Sequence, residues 1–277
     1  MRKMAVTGGK GGVGKSTVTV LLANKLRAQG KSLVLADLDV ECPNDFLLLG
    51  QSLGQSVQEV KAKFPEIDPE KCWRCGECVK QCYSHAIFQV PGQVPTILPE
   101  LCSGCGLCWR LCPAGAITQK EKVIGQIFEN KVEDNFWLVT GETYGIVEES
   151  GPIVSQTKEY AQRLAEKIKA DFLVIDTAVG LHCGVIRALM GADQVYAVTE
   201  PTRLGAHDLQ LILALLEKLK LPAQIVLNQA DLGERQLIDE ISQREGVKIG
   251  FEIPYSSTLA QAYAQGRLRE INLLEEK

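Results

Sequence analysis

The chain has 277 residues, a hydrophobic fraction of 45% and a net charge of −4, which allow one large domain and a small one. This charge provides no basic surface for nucleic acid, and no apolar run is long enough to cross a bilayer. The first residues lack the apolar core of a signal peptide, so we expect a cytoplasmic protein.

Short apolar runs alternate with helical patterns along most of the chain. A strand is predicted at residues 4–7, a helix at residues 16–29 that ends at Gly30, and a strand at residues 33–36. Apolar residues from Leu209 to Leu219 recur near the helical period. Continuous apolar strands between helices indicate an α/β fold, with a parallel sheet covered on both faces. Further strands are predicted at residues 136–140, 172–175, 195–199 and 225–227.

Residues 66–120 interrupt this rhythm, because they contain many turn residues and little helical period. We therefore expect an inserted domain at residues 63–121, between a first part of the α/β domain at 1–62 and a second part at 122–277. Short strand ends are expected at residues 87–90 and at Ile117. The polar segment 122–135 is expected to be the return connection.

Two cysteine runs of the same spacing lie within this insertion. Each run has three cysteines at intervals of three and a fourth cysteine four residues later. A zinc ribbon uses two C-x-x-C pairs, whereas this spacing is that of bacterial ferredoxins, so it favours two 4Fe-4S clusters. In the reducing cytosol such cysteines indicate metal binding and not disulfides. The runs are Cys72, Cys75, Cys78 and Cys82, and then Cys102, Cys105, Cys108 and Cys112.

In such sequences the fourth cysteine of one run completes the other cluster. We therefore expect Cys112 to join the first three cysteines of the first run, and Cys82 to join those of the second. Pro113 follows Cys112, whereas Tyr83 follows Cys82, which leaves the shape of that turn open.

A glycine-rich loop follows the first predicted strand and precedes the first predicted helix. Gly9 to Ser16 satisfy the phosphate-binding pattern G-x-x-x-x-G-K-S, in which backbone N–H groups and the helix N-terminus face phosphate oxygens. Lys15 is expected to reach the β- and γ-phosphates, and Ser16 to bind Mg²⁺. The predicted nucleotide-binding residues of the loop are Gly9, Lys10, Gly11, Gly12, Val13, Gly14, Lys15, Ser16 and Thr17.

The loop carries a second lysine, Lys10, and the stretch from Lys10 to Thr17 resembles the deviant Walker A motif of the MinD/ParA superfamily, which includes the nitrogenase iron protein. Together with the cysteine runs, the chain resembles superfamily members that carry an inserted two-cluster ferredoxin domain. The resemblance implies a parallel-sheet P-loop ATPase with a small α+β insertion. It also implies ATP-dependent dimerisation, in which Lys10 reaches the nucleotide of the partner.

Two acidic positions match the switches of that superfamily. Asp37-Leu38-Asp39 ends the second predicted strand, and the resemblance implies that Asp39 positions Mg²⁺ or the attacking water. Asp176 follows a later strand, where the Walker B acid of the second switch is expected. Each aspartate could alternatively be a strand-end or capping residue. The superfamily usually has a proline just after Asp176 and this chain has none, so its second switch can move differently.

The segment Asn228-Gln229-Ala230-Asp231 is similar to the guanine-reading N-K-x-D motif, with Gln229 in place of the lysine. In the MinD group an asparagine here contacts adenine. The resemblance therefore favours ATP over GTP, with Asn228 at the base and Pro254 closing the pocket.

These motifs predict an ATPase that is slow without its partner, with Lys10, Lys15 and Asp39 as catalytic residues. We expect a dimer of identical chains, or a dimer with a related ATPase, whose ATP cycle drives electron transfer through two clusters to a redox or metallocofactor partner protein.

The alternative is a carrier of an iron–sulfur cluster or metal cofactor, in which Cys183 could bridge two subunits. A MinD-like spatial organiser is disfavoured, since residues 259–277 lack the basic amphipathic pattern of a membrane-binding helix, and no stable membrane anchor is expected. Cys42, after the first switch, is expected to be a small apolar filler.

Overall fold

The computed structural model describes residues 1–54, 56–145 and 149–271. Strands and helices alternate along most of this range, as the sequence predicts. The strands are β1 (Arg2–Thr7), β2 (Leu33–Leu38), β3 (Ser56–Ile67), β4 (Ile87–Phe88), β5 (Thr96–Ile97), β6 (Ile117–Glu133), β7 (Phe136–Thr143), β8 (Phe172–Thr177), β9 (Gln194–Thr199), β10 (Ala223–Asn228) and β11 (Ile249–Ile253). The helices are α1 (Lys15–Ala28), α2 (Asp45–Leu48), α3 (Glu77–Lys80), α4 (Leu107–Leu111), α5 (Gly151–Lys167), α6 (Cys183–Leu189), α7 (Arg203–Lys218), α8 (Arg235–Glu245) and α9 (Ser257–Ala264).

Nine of the strands in the described residues form one sheet in the order β11-β10-β9-β1-β8-β2-β7-β6-β3. Neighbouring strands from β11 to β7 are parallel, whereas β6 and β3 add an antiparallel edge. The predicted α/β fold with a largely parallel sheet is therefore confirmed. In the described part of the chain, no helix combines the length and the apolar character needed to cross a bilayer.

Alternating side chains of the strands pack into two hydrophobic cores, one on each face of the sheet. On β2, Leu33 and Leu35 belong to the core beneath α1, α2 and α9, whereas Val34 and Ala36 belong to the core beneath α5 to α8. Side chains alternate along a strand, so Asp37 lies on the same face of β2 as Leu33 and Leu35. Its carboxylate is therefore on the side of α1 and α2, at the carboxyl end of the strand.

Strands β3 and β6 form a long ribbon that joins the main sheet to the cysteine block. Ser56 pairs with Phe128 at the sheet, and Ile67 pairs with Ile117 at the block. The segment 122–135, expected to be a connection, lies largely within β6, so that expectation is corrected. Charged residues are exposed along much of this ribbon, and the sequence therefore lacks the apolar run that marks the buried strands. Ala62 and Lys122, at the expected domain boundaries, are paired within the ribbon.

Lys158 on α5 forms hydrogen bonds to the C-terminal end of α6, the helix that follows the second switch. Its buried ammonium donates to the carbonyl oxygens of Arg187 at 2.8 Å and Met190 at 2.6 Å. Replacing Lys158 with Met should lower the free energy of unfolding by about 2 kcal/mol, because two carbonyl groups lose their donor. Urea unfolding at pH 7 measures this, with the exposed Lys167→Met on the same helix as the control. A loss for Lys158→Met no larger than for Lys167→Met would contradict the assignment.

Candidate functional site

The glycine-rich loop connects β1 to α1 in a conformation that depends on glycine. Gly14 precedes the first turn of α1 with φ of 92°, in the left-handed region. A Cβ atom at Gly14 would lie 2.4 Å from Nδ2 of Asn228. That amide donates to the carbonyl oxygen of Val13 at 2.9 Å, so the end of β10 holds the loop in place.

Most of the predicted loop residues meet in one cavity of about 260 Å³ at the N-terminus of α1. Gly9 and Val13 do not line it: Gly9 packs against Asp208, and Val13 is buried. Asn44 and Tyr263 also line the cavity, although sequence reasoning did not select them. The lining residues are Gly11, Gly12, Gly14, Lys15, Ser16, Thr17, Asp39, Asn44, Val179 and Tyr263.

Behind this cavity, the carboxyl ends of β2 and β8 carry buried carboxylates. Asp37 accepts hydrogen bonds from the backbone N–H groups of Asp39, Asn44 and Asp45 at 3.0–3.1 Å, and thereby shapes the first switch. Burial and the neighbouring Asp176 raise the pKa of Asp37 to about 8. Burial likewise raises the pKa of Asp176 to about 6, and its carboxylate accepts from the hydroxyl of Thr19 at 3.1 Å.

Asp39 differs from these two because it lines the cavity. Burial raises the pKa of Asp39, while the positive charge of Lys15 opposes that shift. A carboxylate beside the lysine of the loop suits the predicted role in orienting a metal ion or a water. Asp37 was not among the predicted site residues; only its contacts identify it as the organiser of this turn.

Lys10, the second lysine of the loop, does not line the cavity. Its ammonium lies 2.5 Å from a carboxylate oxygen of Glu200, at the end of β9. Glu200 also accepts from the hydroxyl of Thr202 at 3.1 Å. Lys10 is therefore paired within its own chain and directed away from the site that the rest of the loop builds.

A second cavity of about 200 Å³ adjoins the first and shares Thr17 and Tyr263 with it. It contains both predicted base-contacting residues, Asn228 and Pro254, which lie at the ends of β10 and β11. The lining residues are Thr17, Asn228, Gln229, Pro254, Tyr255, Ser256, Leu259, Ala260 and Tyr263.

Among the described residues, no acidic side chain lines this base cavity. Asp231, the acid of the N-K-x-D-like segment, instead accepts from the backbone N–H of Tyr255 at 2.6 Å. Guanine would present ring and amino N–H donors to a cavity without a carboxylate, so ATP should bind about tenfold more tightly than GTP. Competition against a fluorescent nucleotide measures this preference.

Asp231→Asn is the matched control, since its amide oxygen can still accept from Tyr255. The ratio of ATP to GTP affinity should be unchanged in this variant. GTP binding as tight as ATP binding, or a loss confined to GTP in Asp231→Asn, would contradict this account of the base cavity.

The structure places the fourth cysteine of the second run beside the first run. Cys112 lines one pocket together with the first three cysteines of that run and the apolar side chains of Ile67 and Ile117. Its partners there are Cys72, Cys75 and Cys78.

At the other centre, burial raises the pKa of Cys102, and the charges of the neighbouring Cys82 and Cys105 add to this shift. Burial also raises the pKa of Cys108, to about 11. The fourth cysteine of each run thus lies with the opposite run.

The two centres have matching backbones. The N–H of Ala86 donates to Sγ of Cys82 and that of Ala116 to Sγ of Cys112, both at 3.3 Å. His85 takes a φ of 52° where Gly115 takes 59°, so the turn after Cys82 has the same shape as the turn after Cys112 although it lacks the proline. Free thiols with N–H donors already in place fit the donor set of a 4Fe-4S cluster.

The two remaining cysteines lie near the switches. Cys42 is exposed, so its expected role as a buried apolar filler is wrong. Its N–H donates to the carbonyl oxygen of Asp39, and the resulting turn lies beyond the end of the buried strand, which leaves the thiol outside the core. Cys183 is the first residue of α6 and is also exposed.

Comparisons with known proteins agree with this geometry. Residues 4–269 match the model of the CobQ/CobB/MinD/ParA nucleotide binding domain. The uncharacterised protein MJ0579 of Methanocaldococcus jannaschii is 36% identical over 268 residues, which cover 96% of this chain and 90% of that protein. An iron–sulfur cluster carrier protein of Methanococcus maripaludis is 41% identical over 68 residues, or 24% of each chain.

Among solved structures, the septum site-determining protein MinD of Pyrococcus horikoshii, complexed with Mg-ADP, superposes with a TM-score of 0.58. The match covers 96% of this chain and 86% of that one at 18% identity, so it supports the fold alone. The family model identifies the family, since it matches nearly the whole chain. The chain therefore belongs to the CobQ/CobB/MinD/ParA family of nucleotide-binding domains and is an ATPase of the ParA/MinD type.

Proposed function

We propose that the chain is a cytoplasmic iron–sulfur ATPase, in which an ATP-driven dimer cycle controls electron transfer through two 4Fe-4S clusters to a partner protein. The observation that carries this proposal is that Cys112 lies beside the first three cysteines of the first run, and Cys82 beside those of the second. Bound clusters would supply one-electron carriers at these thiols. Each centre draws all four thiols from one chain, which suits a retained relay better than a cluster that must leave.

The chain's own residues provide a route by which ATP could act on the cysteine block. Asp37 fixes the first switch at the end of β2, and β2 pairs with β7. Strand β7 pairs with β6, which enters the cysteine block. Paired strands therefore connect the first switch to the block, and this continuity supports the proposed coupling between the nucleotide site and the thiol centres.

The experiment is EPR spectroscopy of anaerobically purified protein, reduced with dithionite, with and without MgATP. We expect the signals of two interacting reduced clusters, whose shape or extent of reduction changes when MgATP is added. The same spectra of Lys15→Ala, which should not bind ATP productively, are expected to be indifferent to MgATP. The absence of any iron–sulfur signal after anaerobic reconstitution would overturn the proposal.

A second candidate function is delivery of an iron–sulfur cluster or metal cofactor. It is favoured by the partial similarity to iron–sulfur cluster carrier proteins and by the exposed thiol of Cys183 beside the second switch. For a carrier, the two signals would not respond to MgATP, and additional iron would bind only in the ATP-bound dimer. Replacing Cys183 with serine would then abolish that additional iron and leave the two permanent centres intact.

A further inference from the structure

The base cavity and the phosphate cavity meet at two residues, Thr17 and Tyr263, which line both of them. Thr17 is buried in α1, whereas Tyr263 lies on α9 and is half-exposed. A large aromatic side chain at the junction of two cavities still has apolar surface to bury. Tyr263 is therefore available to a ligand that occupies both cavities at once.

A nucleotide is such a ligand, because its ribose connects the base to the phosphates. The base is expected beside Asn228 and Pro254, and the phosphates are expected at Lys15 and Ser16. The first pair lines the base cavity and the second pair lines the phosphate cavity. The ribose must then cross the junction of the cavities, where Tyr263 lies.

One face of α9, together with the residue that caps it, forms a wall of the base cavity. Ser256, Leu259, Ala260 and Tyr263 recur at helical spacing and all line this cavity. The hydroxyl of Ser256 accepts from the backbone N–H of Leu259 at 3.2 Å, which fixes the start of the helix. Ser256 and Ala260 are small and leave room for a ligand. Tyr263 is the large side chain at the end of this face, next to the phosphate cavity.

The turn after α9 packs against the end of α2, the helix that follows the first switch. Gly266 has a φ of 64°, and a Cβ atom there would clash with the carbonyl oxygen of Leu47. A Cβ atom at Gly50 would in turn lie 3.0 Å from the carbonyl oxygen of Gly266. Backbone therefore packs on backbone, and the end of α9 lies directly against the segment that follows the first switch.

The chain beyond this turn is fixed to α1. The side-chain amide of Asn24 donates to the carbonyl oxygens of Leu268 and Ile271, both at 2.7 Å. Arg27 on the same helix donates to the carbonyl oxygen of Arg269 at 2.9 Å. Because α1 begins at the phosphate-binding loop, these bonds hold the loop and α9 in one arrangement. Contacts with α1 and α2 thus determine where α9 places its tyrosine.

We propose that Tyr263 is a specificity-determining residue of this ATPase: its ring packs against the ribose of ATP, and Gly266 positions it by allowing α9 to lie against α2. The ring would bury apolar surface against the sugar, a contact that phosphates alone cannot make. The inference rests on the predicted placement of the base and the phosphates. It does not depend on the cysteine centres or on electron transfer.

The test is isothermal titration calorimetry of the nucleotide-free holoprotein, in the presence of Mg²⁺, with two ligands. One is the non-hydrolysable ATP analogue AMPPNP, and the other is inorganic tripolyphosphate, which lacks the nucleoside. Tyr263→Ala should weaken AMPPNP binding about tenfold, because the ring no longer covers the sugar, and should leave tripolyphosphate binding unchanged. Tyr263→Phe keeps the ring and should bind AMPPNP like the wild type. Tyr83→Ala, at an exposed tyrosine of the cysteine block, is the control.

Two glycine variants test the positioning of α9. Gly266→Ala should weaken AMPPNP binding severalfold and spare tripolyphosphate binding, although residue 266 lines neither cavity. Gly246 is the matched position, because its φ is 65° and nothing lies within 4 Å of a Cβ atom there. Gly246→Ala should therefore carry similar backbone strain and bind AMPPNP like the wild type. If Gly266→Ala does not accumulate as folded protein, Tyr263→Ala decides, since shortening a half-exposed side chain should not harm folding.

Equal AMPPNP affinity of the wild type and Tyr263→Ala would overturn the proposal. An equal loss of AMPPNP and tripolyphosphate binding in Tyr263→Ala would also overturn it, because the tyrosine would then support the site as a whole. Equal AMPPNP affinity of Gly266→Ala and Gly246→Ala would contradict the positioning by α2. A wild type that binds AMPPNP no more tightly than tripolyphosphate would contradict the predicted base cavity itself, on which the inference rests.

Discussion

Replacing Cys112 with serine is expected to remove the centre formed by the first cysteine run and to spare the centre of its own run. The reason is that Cys112 shares a pocket with Cys72, Cys75 and Cys78. Iron content should fall from about eight to about four atoms per chain, since each centre would hold one four-iron cluster. Iron analysis and EPR of the reduced protein after anaerobic reconstitution measure this change.

Double variants identify which centre is lost. Cys72→Ser combined with Cys112→Ser should lose no more iron than either single variant, because both remove ligands from one centre. Cys102→Ser combined with Cys112→Ser should lose both centres. The exposed Cys42→Ser is the control and should keep all its iron. The opposite pattern of the two double variants would show that each run holds its own cluster.

Replacing Lys10 with alanine is expected to lower ATP hydrolysis by a factor on the order of 10³, as for an activating cation supplied in trans. ATP binding should change little, because Lys10 does not line the cavity and pairs with Glu200 in its own chain. Lys15→Ala should instead weaken ATP binding itself, since Lys15 lines the cavity. Steady-state hydrolysis and equilibrium binding of ATP separate these two effects.

The ion pair between Lys10 and Glu200 must open before Lys10 can reach a second chain. The pair is partly exposed, so it should contribute no more than about 1 kcal/mol, or about fivefold in an equilibrium constant. Glu200→Gln should therefore form the ATP-bound dimer at a correspondingly lower protein concentration. Analytical ultracentrifugation with MgATP measures this, and the exposed Glu159→Gln is the control. Weaker dimerisation of Glu200→Gln would instead assign Glu200 to the dimer contact.

Features encoded by neighbouring residues could be predicted from the sequence. The strand, glycine loop and helix at β1 and α1 follow from an apolar run, a motif and a helical pattern that are contiguous. The placement of Cys112 beside the first cysteine run, and of Cys82 beside the second, joins segments that are distant in the chain. It could be predicted because the spacing of the two runs is itself a known motif.

Features that join distant segments without a recognisable motif could not be predicted. Lys10 and Glu200 are 190 positions apart, and no local sequence pattern predicts that they form an ion pair. Asp45 is an ordinary helix-start residue in sequence, and only the approach of β2 and β8 places it among buried carboxylates. Strands β3 and β6 escaped prediction because their few buried apolar residues, such as Val60 and Ile127, are separated by exposed polar and charged residues and form no continuous apolar run.

The ribbon of β3 and β6 also determines how far the cysteine block can travel. Beyond Val60, the last residue of β3 opposite the part of β6 that pairs with β7, the ribbon continues through residues 61–67 without an intervening linker, about 23 Å at the rise of an extended chain. Such a ribbon acts as a lever arm: a rotation of about 5° at the edge of the main sheet would move its far end by roughly 2 Å. Small strand movements at the nucleotide site could therefore set the separation between the thiol centres and a docked acceptor.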